Sequence, residues 1–265
     1  MDTYFEVGKL LVDAGKHYGE GIVKQYSIKL KREVDKKYNT TLLKRIRQFY
    51  ILIEKGAIMW HYLSWSHYRT LIPLKDVNII NYYIDKAISN NLSVRELENT
   101  IKSKEYERLP SDTKNKLIKK EENKLEDFIP NPIIIKNKYN RNEISEKVLK
   151  QLILEDISNF LKELGEGFSF IDSEYKIKIG DRYNYIDLLL FNYIYNCFVV
   201  IELKVTELKK EYIGQVEIYM NYIDKNIKKI THNKTIGLII CKKDNKFIIE
   251  YSSDPRIYSR EYVIN

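Results

Sequence analysis

The sequence predicts an α+β protein of two domains, an all-helical amino-terminal domain followed by a mixed α/β domain. Through the first 109 residues, apolar side chains recur at three- and four-residue steps, with no strand-like alternation. Residues 110–142 are rich in charge and carry three prolines, which is typical of a linker. From residue 143 onward, strand-like segments alternate with helical ones. We therefore expect domains at 1–109 and 143–265.

Composition excludes several classes of protein. The 265 residues are 44% hydrophobic and 31% charged, which suits a soluble globular chain and neither a disordered nor a fibrous one. No apolar run approaches the roughly 18 residues that a membrane span needs, and the acidic start MDTYFEVGKL lacks a signal-peptide pattern. Cys197 and Cys241 lie in β-like apolar runs, as reduced core thiols do. We expect a cytoplasmic protein with no membrane partner.

The first domain is predicted to hold six helices, with Ser64 and Ser93 as caps of two of them. They cover about 3–16, 20–34, 41–55, 64–71, 76–90 and 93–103. The turn-like DKKYNT separates the second helix from the third, which Thr40 or Thr41 is expected to cap. A helix, a short turn and a basic second helix outline a helix-turn-helix.

Positive charge concentrates around that turn. The chain carries +8 in total, and residues 24–47 hold nine Lys and Arg against Glu33 and Asp35, a local charge of +7. Such a cluster suits a polyanion, because each neutralised phosphate releases condensed counterions. The alternative is a solvated helix face. The candidate nucleic-acid-binding residues are Lys36, Lys37, Lys44, Arg45 and Arg47.

The second domain is predicted as α-βββ-α-β. A helix at about 144–164 precedes strands at about 168–179, 183–192 and 197–206. A second helix at about 207–228 is followed by strand-like runs at 235–242 and 246–251.

Two of these strands carry a candidate metal site. In CFVVIELKVT, alternation puts Glu202 and Lys204 on one face and Leu203 on the other. Asp187 lies among apolar residues of the preceding strand, where an unpaired carboxylate is costly. A hairpin centred on residues 194 and 195 would place Asp187 opposite Glu202, with Cβ atoms about 4.5 to 5.5 Å apart. Two opposed carboxylates favour a hard cation such as Mg²⁺. Spacing alone leaves a surface salt bridge to Lys204 open.

This sequence resembles the PD-(D/E)xK, or restriction-endonuclease-like, nucleases, through Asp187 followed after fourteen residues by Glu202-Leu203-Lys204. The wider text resembles the YhcG family of those nucleases, over about residues 4–252. The segments that carry this resemblance are LSWSHYRTLIP, ISNNLSVRELENTIKSKEYERL, FLKELGEGFSF, YNYIDLLLF and CFVVIELKVTELKKEYIGQVEIYMNYID. In that family a helical domain thought to bind DNA precedes the nuclease domain.

The resemblance implies a role for each site residue. Asp187 and Glu202 would be metal ligands, with the Leu203 carbonyl as a third, and Lys204 would orient the attacking water or stabilise charge on the phosphate. Gln215 matches an extra catalytic glutamine, and its alternative is an exposed helix residue. Glu155 is the candidate for an additional acid from the first core helix. In that helix the resemblance predicts Leu-Glu where this chain has Leu149-Lys150.

The leading hypothesis is a Mg²⁺-dependent DNA nuclease, a phosphodiester hydrolase in which Mn²⁺ can substitute for Mg²⁺. The competing hypothesis is a non-catalytic nucleic-acid-binding protein whose nuclease-like domain serves assembly. RNA as the substrate, and a homodimer, stay open. For LSWSHYR, a capped helix that packs Trp65 and Tyr68 is favoured over nucleic-acid contact by His67 and Arg69.

Overall fold

The computed structural model describes residues 2–18, 21–56, 62–119, 121, 124–137, 144–252 and 254–265, with the backbone alone at 16–18. The chain divides into two compact units, Met1–Glu107 and Arg108–Asn265. The predicted start of the second domain, residue 143, lies outside the described residues.

The first unit is helical. All six predicted helices are found, within two residues of the expected bounds. They are α1 (Asp2–Tyr18), α2 (Ile22–Glu33), α3 (Thr40–Glu54), α4 (Trp65–Leu71), α5 (Val77–Ser89) and α6 (Val94–Lys102). A 3-10 turn at Ile72–Leu74 follows α4, and a short helix α7 (Glu105–Arg108) spans the boundary between the units.

Side-chain caps fix where three of these helices begin. Ser93 and Glu96 form a capping box at α6, and Ser64 Oγ lies 2.7 Å from His67 Nδ1 at α4. The cap of α3 is Asn39, whose side chain accepts a hydrogen bond from the Leu42 N–H at 2.8 Å. The expectation of Thr40 or Thr41 was wrong, because the preceding asparagine satisfies the free N–H group.

Close packing of α1 on α3 organises the helical core. A Cβ atom added at Gly8 would meet Tyr50 Cβ at 2.6 Å and the Ile46 carbonyl oxygen at 2.7 Å. Only glycine therefore permits this approach. The buried side chains of Leu11, Val23, Leu43 and Ile46 form one cluster, against which Trp65 packs.

The second unit is built on a mixed sheet. Its strands are β1 (Ile133–Ile135), β2 (Phe168–Ile179), β3 (Arg182–Asn192), β4 (Cys197–Glu207), β5 (Ile236–Lys243) and β6 (Ile257–Ile264). Its helices are α8 (Ser111–Lys119), α9 (Glu146–Glu155), α10 (Ile157–Leu164), α11 (Lys210–Asn226) and α12 (Lys246–Glu250), with a 3-10 turn at Leu125–Phe128.

The strand order is β1-β6-β5-β4-β3-β2. The pairs β2–β3 and β3–β4 are antiparallel, whereas β4–β5, β5–β6 and β1–β6 are parallel. Helices α9 and α10 cover one face, where Leu149 and Phe160 pack with Cys197, Val199 and other residues of β4. Helix α11 covers the other face. The predicted alternation of β4 is confirmed, since Phe198 and Val200 pack on the α11 side.

Three expectations for this unit differ from the structure. The segment predicted as a linker, 110–142, contributes α8 and β1, and its Leu125, Ile129 and Ile133 are buried in the core. The helix expected at 144–164 is two helices, because Asp156 leaves helical geometry at φ −138° and ψ 49°. The expected strand at 246–251 is α12.

The final strand β6 was not predicted. It pairs in parallel with both β5 and β1, and this pairing, which is remote in sequence, gives it its place in the sheet. In the described part of the chain, no helix has both the length and the apolar content required to cross a bilayer.

Candidate active site

The site lies where β3 and β4 separate. Pairing runs from Asn192 opposite Cys197 to Leu188 opposite Ile201, and each pair sums to 389. The predicted hairpin register is therefore confirmed. Asp187 comes one step after the last pair, and its Oδ2 accepts a hydrogen bond from the Leu203 N–H at 2.9 Å. A carboxylate thus replaces the backbone partner of Leu203, and the strands open around it.

Glu202 and Lys204 form a buried ion pair at this opening. Lys204 Nζ lies 2.7 Å from Glu202 Oε1, and the two side chains are only 10% (Lys204) and 4% (Glu202) exposed. The alternative of a surface salt bridge is excluded by this burial. Among the described side chains, Glu202 Oε2 is one of two buried polar atoms with no hydrogen-bond partner. An orphaned carboxylate oxygen is costly, and it points to a ligand.

Burial and charge set the protonation of this pair. Burial, with the nearby Asp187 charge second, raises the pKa of Glu202 to about 7. Burial acts to lower the pKa of Lys204, but its hydrogen bond to Glu202 and the charges of Glu202, Glu146 and Asp187 together outweigh burial and hold that pKa above its usual value. Lys204 therefore stays cationic, whereas Glu202 exchanges its proton near neutral pH.

A second lysine enters the site from α9. Lys150 Nζ lies 3.0 Å from Asp187 Oδ1 and 2.7 Å from Glu174 Oε1. Glu174 stands on β2 in a left-handed conformation, at φ +52°. The Lys150 side chain is 16% exposed, so its charge is fixed at the site by both carboxylates. This is the position where the family resemblance predicts a glutamate.

Further groups surround the Lys204 ammonium. Glu146, at the start of α9, places Oε2 at 3.5 Å from it, and the Tyr212 ring centroid lies at 5.0 Å. Gln215, on α11, donates from Nε2 to the Tyr219 hydroxyl at 2.9 Å. The pKa of Tyr219 is raised, first by burial and in part by the charges of Glu202 and Asp187. Gln215 is half-buried behind that tyrosine rather than an isolated exposed residue.

The structure does not bring Glu155 to the site. It is exposed at the end of α9, where Gln151 Nε2 donates to it at 3.0 Å. At about 100° per residue, five residues place Glu155 roughly 140° around the helix from Lys150. The residues of α9 that reach the site are Glu146 and Lys150. Their spacing of four, on one helix face, was the available signal, although it does not reveal which strand that face covers.

Asp187 and Glu202 lie close enough at the opening for the Asp187 charge to raise the pKa of Glu202. Within the described ranges, no group of three or more His, Cys, Asp or Glu side chains is arranged to hold a metal ion. Two carboxylates are nevertheless enough for Mg²⁺, which keeps several waters and takes the remaining ligands from substrate phosphate.

The candidate nucleic-acid-binding residues lie around the first turn of α3. Lys37 and Arg45 line a surface pocket of about 370 Å³ together with Arg69 of α4 and the Trp65 side chain. Lys36 and Lys44 are exposed, whereas Arg47 is half-buried, with its Nε atom in the interior. Lys37, Arg45 and Arg69 therefore lie around one pocket, whereas the Nε atom of Arg47 is buried.

The α4 segment packs as expected. The Trp65 ring packs against Tyr4 in a tilted arrangement and against Phe49 edge to face, with ring centroids at 4.6 and 5.7 Å, and Tyr68 is buried. His67 Nε2 lies 3.0 Å from the Leu92 carbonyl oxygen, so both its ring nitrogens have partners within the fold. The interpretation of this segment as a capped, packed helix is confirmed for Trp65, His67 and Tyr68, whereas Arg69 lines the surface pocket.

Two family models together match most of the chain. Residues 127–260 match a family model described as the YhcG PDDEXK nuclease domain, and residues 1–108 match the DUF1016 N-terminal domain. The chain is 24% identical over 283 aligned residues to the Escherichia coli (strain K12) protein named "Putative nuclease YhcG". That alignment covers 90% of this chain and 76% of the relative.

Two solved structures are also similar over part of the chain. One is a crystal structure of a repair endonuclease from Pyrococcus abyssi, at 20% identity and a TM-score of 0.32, covering 46% of this chain and 48% of that one. The other is an EndoMS–dsDNA2 complex, at 18% identity and a TM-score of 0.33, covering 49% and 48%. The chain spans about half the length of each.

Proposed function

Because the chain belongs to the YhcG PDDEXK nuclease family, we propose that it is a divalent-metal-dependent nuclease that hydrolyses DNA phosphodiester bonds. Mg²⁺ is the proposed metal, and Mn²⁺ its substitute. The observation that carries this proposal is the buried Glu202 Oε2 atom, which has no partner in the described fold. A scaffold without catalysis gains nothing from a buried acid with an unsatisfied oxygen.

The residues present fit a hard cation. Glu202 would offer Oε2, and Asp187 would offer the lone pairs that remain after one hydrogen bond to each of its oxygens. In an extended strand, the N–H and C=O of one residue point to the same side. The Leu203 carbonyl therefore faces the same opening as its N–H and would be a third ligand. When bound, a divalent ion supplies Lewis acidity toward the phosphate and lowers the pKa of water.

Lys204 has the position and charge for a role in catalysis. Its ammonium is held by Glu202 at 2.7 Å and flanked by Glu146, so two of its protons have partners, while a third can reach substrate. It would orient the attacking water or stabilise the charge developing on the phosphate oxygens. Gln215 would act beside it, through the Tyr219 hydroxyl or directly on substrate.

DNA would be held by the helical unit. Lys37, Arg45 and Arg69 share a pocket at the amino terminus of α3, where the free N–H groups of a helix also favour an anion. Lys36 and Lys44 extend this positive surface, and Arg47 would add charge from beneath it. The turn between α2 and α3 then fits a helix-turn-helix reader. A cytoplasmic location suits the two buried free thiols, Cys197 and Cys241.

A matrix of substrates and metals tests the proposal. The full chain is incubated with supercoiled plasmid, linear duplex, branched DNA and RNA, each in Mg²⁺, Mn²⁺ and EDTA. We expect cleavage of DNA in both metals and none in EDTA. Asp187→Ala and Glu202→Ala should each abolish it, while Glu207→Gln, an exposed acid at the end of β4, should not.

Retained metal-dependent cutting by a chain that lacks Asp187, Glu202 and Lys204 would refute the assignment. Cleavage of RNA and of no DNA substrate would show that the substrate is RNA instead of DNA. Absence of cleavage on every polymer, with metal bound by wild type but not by Asp187→Ala, would favour the non-catalytic assembly role.

A further inference from the structure

The outer part of the β2–β3 hairpin stands beyond the rest of the sheet. β3 pairs with β4 only from Leu188 to Asn192, whereas its pairing with β2 continues to Ile179 opposite Arg182. Between Tyr175 and Ile186 the hairpin is therefore a two-stranded ribbon. We call this segment, residues 175–186, the ribbon.

The two faces of the ribbon differ in character. Ile177 and Ile186 are buried in the core cluster on the α11 side. Lys176 pairs with Tyr185, and Lys178 with Tyr183, so these four side chains share the opposite face. Tyr183 is 55% exposed and Tyr185 is 51% exposed. An aromatic and cationic face of this kind is unusual for surface that has no partner, because two large rings are left in water.

Positive charge accompanies the rings. Lys176 Nζ lies 3.8 Å from the centroid of the Tyr183 ring, and Lys178 Nζ lies 6.0 Å from it. The ribbon contains three basic residues, Lys176, Lys178 and Arg182, and one acidic residue, Asp181, so its net charge is +2. The face therefore combines ring surfaces with ammonium groups, which is what a strand of bases and phosphates needs.

The ribbon face leads directly to the active site. Tyr185 is two residues from Asp187 on the same strand, or about 7 Å, and Tyr183 is about 13 Å away. At about 3.4 Å per nucleotide of one strand, these distances correspond to roughly two and four nucleotides from the site. Tyr183, Tyr185 and Asp187 follow one another at two-residue steps along β3, so alternation places their side chains on the same side of that strand.

We propose that this face binds the nucleic-acid strand beside the scissile phosphate by stacking Tyr183 and Tyr185 on unpaired bases. Lys176 and Lys178 contact the intervening phosphates. The inference rests on the proposed nuclease function and narrows its substrate class to nucleic acid with a single-stranded segment next to the cut. A fully paired duplex hides the faces of its bases, so it cannot use the two rings in this way.

A second copy of the chain, adding a strand to the edge strand β2, is the competing occupant. Lysines on an edge strand oppose such pairing, because two copies would place like charges side by side. Charge thus favours a polyanion over a second copy.

Binding to oligonucleotides tests the proposal in the full chain. Fluorescence anisotropy is measured in EDTA with labelled oligo-dT and with a matched duplex. Tyr183→Ala and Tyr185→Ala should each weaken oligo-dT binding by roughly 5- to 100-fold and duplex binding by about twofold at most. Tyr183→Phe and Tyr185→Phe should bind oligo-dT as wild type does, because phenylalanine keeps the aromatic ring. Tyr183→Leu should bind oligo-dT weakly, because leucine is compatible with the strand but has no π-face.

Tyr193→Ala is the matched control, because Tyr193 is 67% exposed at the other end of β3. Equal weakening of oligo-dT and duplex binding, or the same weakening from Tyr193→Ala, would overturn the proposal. So would a dimer, seen by sedimentation, that Tyr183→Ala dissociates while oligo-dT binding stays unchanged.

The outcome also separates this inference from the nuclease assignment. If wild type cleaves nucleic acid in Mg²⁺ but the tyrosine variants bind oligo-dT normally, the ribbon inference fails alone. If the tyrosine variants no longer bind oligo-dT and no polymer is cleaved in any metal, the nuclease assignment fails and the binding face stands.

Discussion

Lys150 Nζ lies 3.0 Å from Oδ1 of Asp187, which places a permanent positive charge on a proposed metal ligand. Burial acts to lower the pKa of Lys150, but the hydrogen bonds to Glu174 and Asp187, together with the charges of these two carboxylates, outweigh burial and raise it. The site therefore contains two lysines, Lys150 on the Asp187 side and Lys204 on the Glu202 side. The proposed divalent ion would therefore bind close to two ammonium groups.

Replacing Lys150 with methionine should tighten the binding of Mg²⁺ and Mn²⁺. The variant removes a cation that contacts Asp187, a proposed metal ligand, and we expect the metal affinity to rise by at least roughly tenfold. Isothermal titration calorimetry with Mn²⁺ measures it directly. Lys147→Met, an exposed lysine one turn away on α9, is the control. Unchanged or weaker metal affinity in a folded Lys150→Met chain would contradict this view of the site.

The stability of the metal-free second unit should fall as pH rises from about 4.5 to about 7. The pKa of Glu202 is about 7 in the folded chain against an ordinary value of 4.5, so the folded state holds the proton more tightly. The resulting stabilisation is complete below pH 4.5 and is lost as pH rises through 7. This stabilisation adds roughly 3 kcal/mol to the free energy of unfolding at low pH.

The corresponding measurement is urea unfolding in EDTA across that pH range. Glu202→Gln, which cannot ionise, should flatten this part of the profile and be the more stable chain at about pH 8, above the folded pKa. A profile of the same slope in Glu202→Gln and wild type would mean that another group causes the dependence.

Lys204→Met should reduce the cleavage rate by roughly 100- to 1000-fold, since the variant removes a pre-organised cation near the phosphate. Its effect should appear in kcat more than in KM, because the charge it would stabilise develops in the transition state. Steady-state kinetics on the best DNA substrate would separate the two. Lys209→Met, an exposed lysine just before α11, serves for comparison and should keep full activity.

Neutralising the pocket of the helical unit should weaken DNA binding at every sequence. Replacing Lys37, Arg45 and Arg69 by glutamine should lower the slope of log K against log salt by about 0.9 for each DNA phosphate that the variant no longer neutralises. Anisotropy titrations at several salt concentrations give that slope. The same change at Lys102 and Lys104, exposed in the same unit, should leave it unaltered. An unaltered slope in the pocket variant would place the DNA surface elsewhere.

The local elements and the pairing of the central hairpin could be predicted from the amino-acid sequence alone. The helices of the first unit follow from apolar periodicity, and the alternation of β4 follows from the two-residue period of a strand. The hairpin register follows from the four residues Tyr193–Asn196 between the paired strands. Each of these features depends on neighbours within a few residues, which a single sequence records.

Contacts between segments that are far apart in the sequence could not be predicted and required the three-dimensional structure. The charge-rich segment at 110–142 contributes a strand to the sheet. This strand, β1, pairs with β6, which lies more than a hundred residues later, with Ile133 opposite Tyr262. Glu146 and Lys150, rather than Glu155, reach the site because α9 lies with that face over the opening between β3 and β4. A helical pattern shows which side is apolar, but the strand it packs against is set by the burial of the whole core. For this reason the strand residues Asp187, Glu202 and Lys204 could be predicted, whereas the contributions of Glu146 and Lys150 from α9 could not.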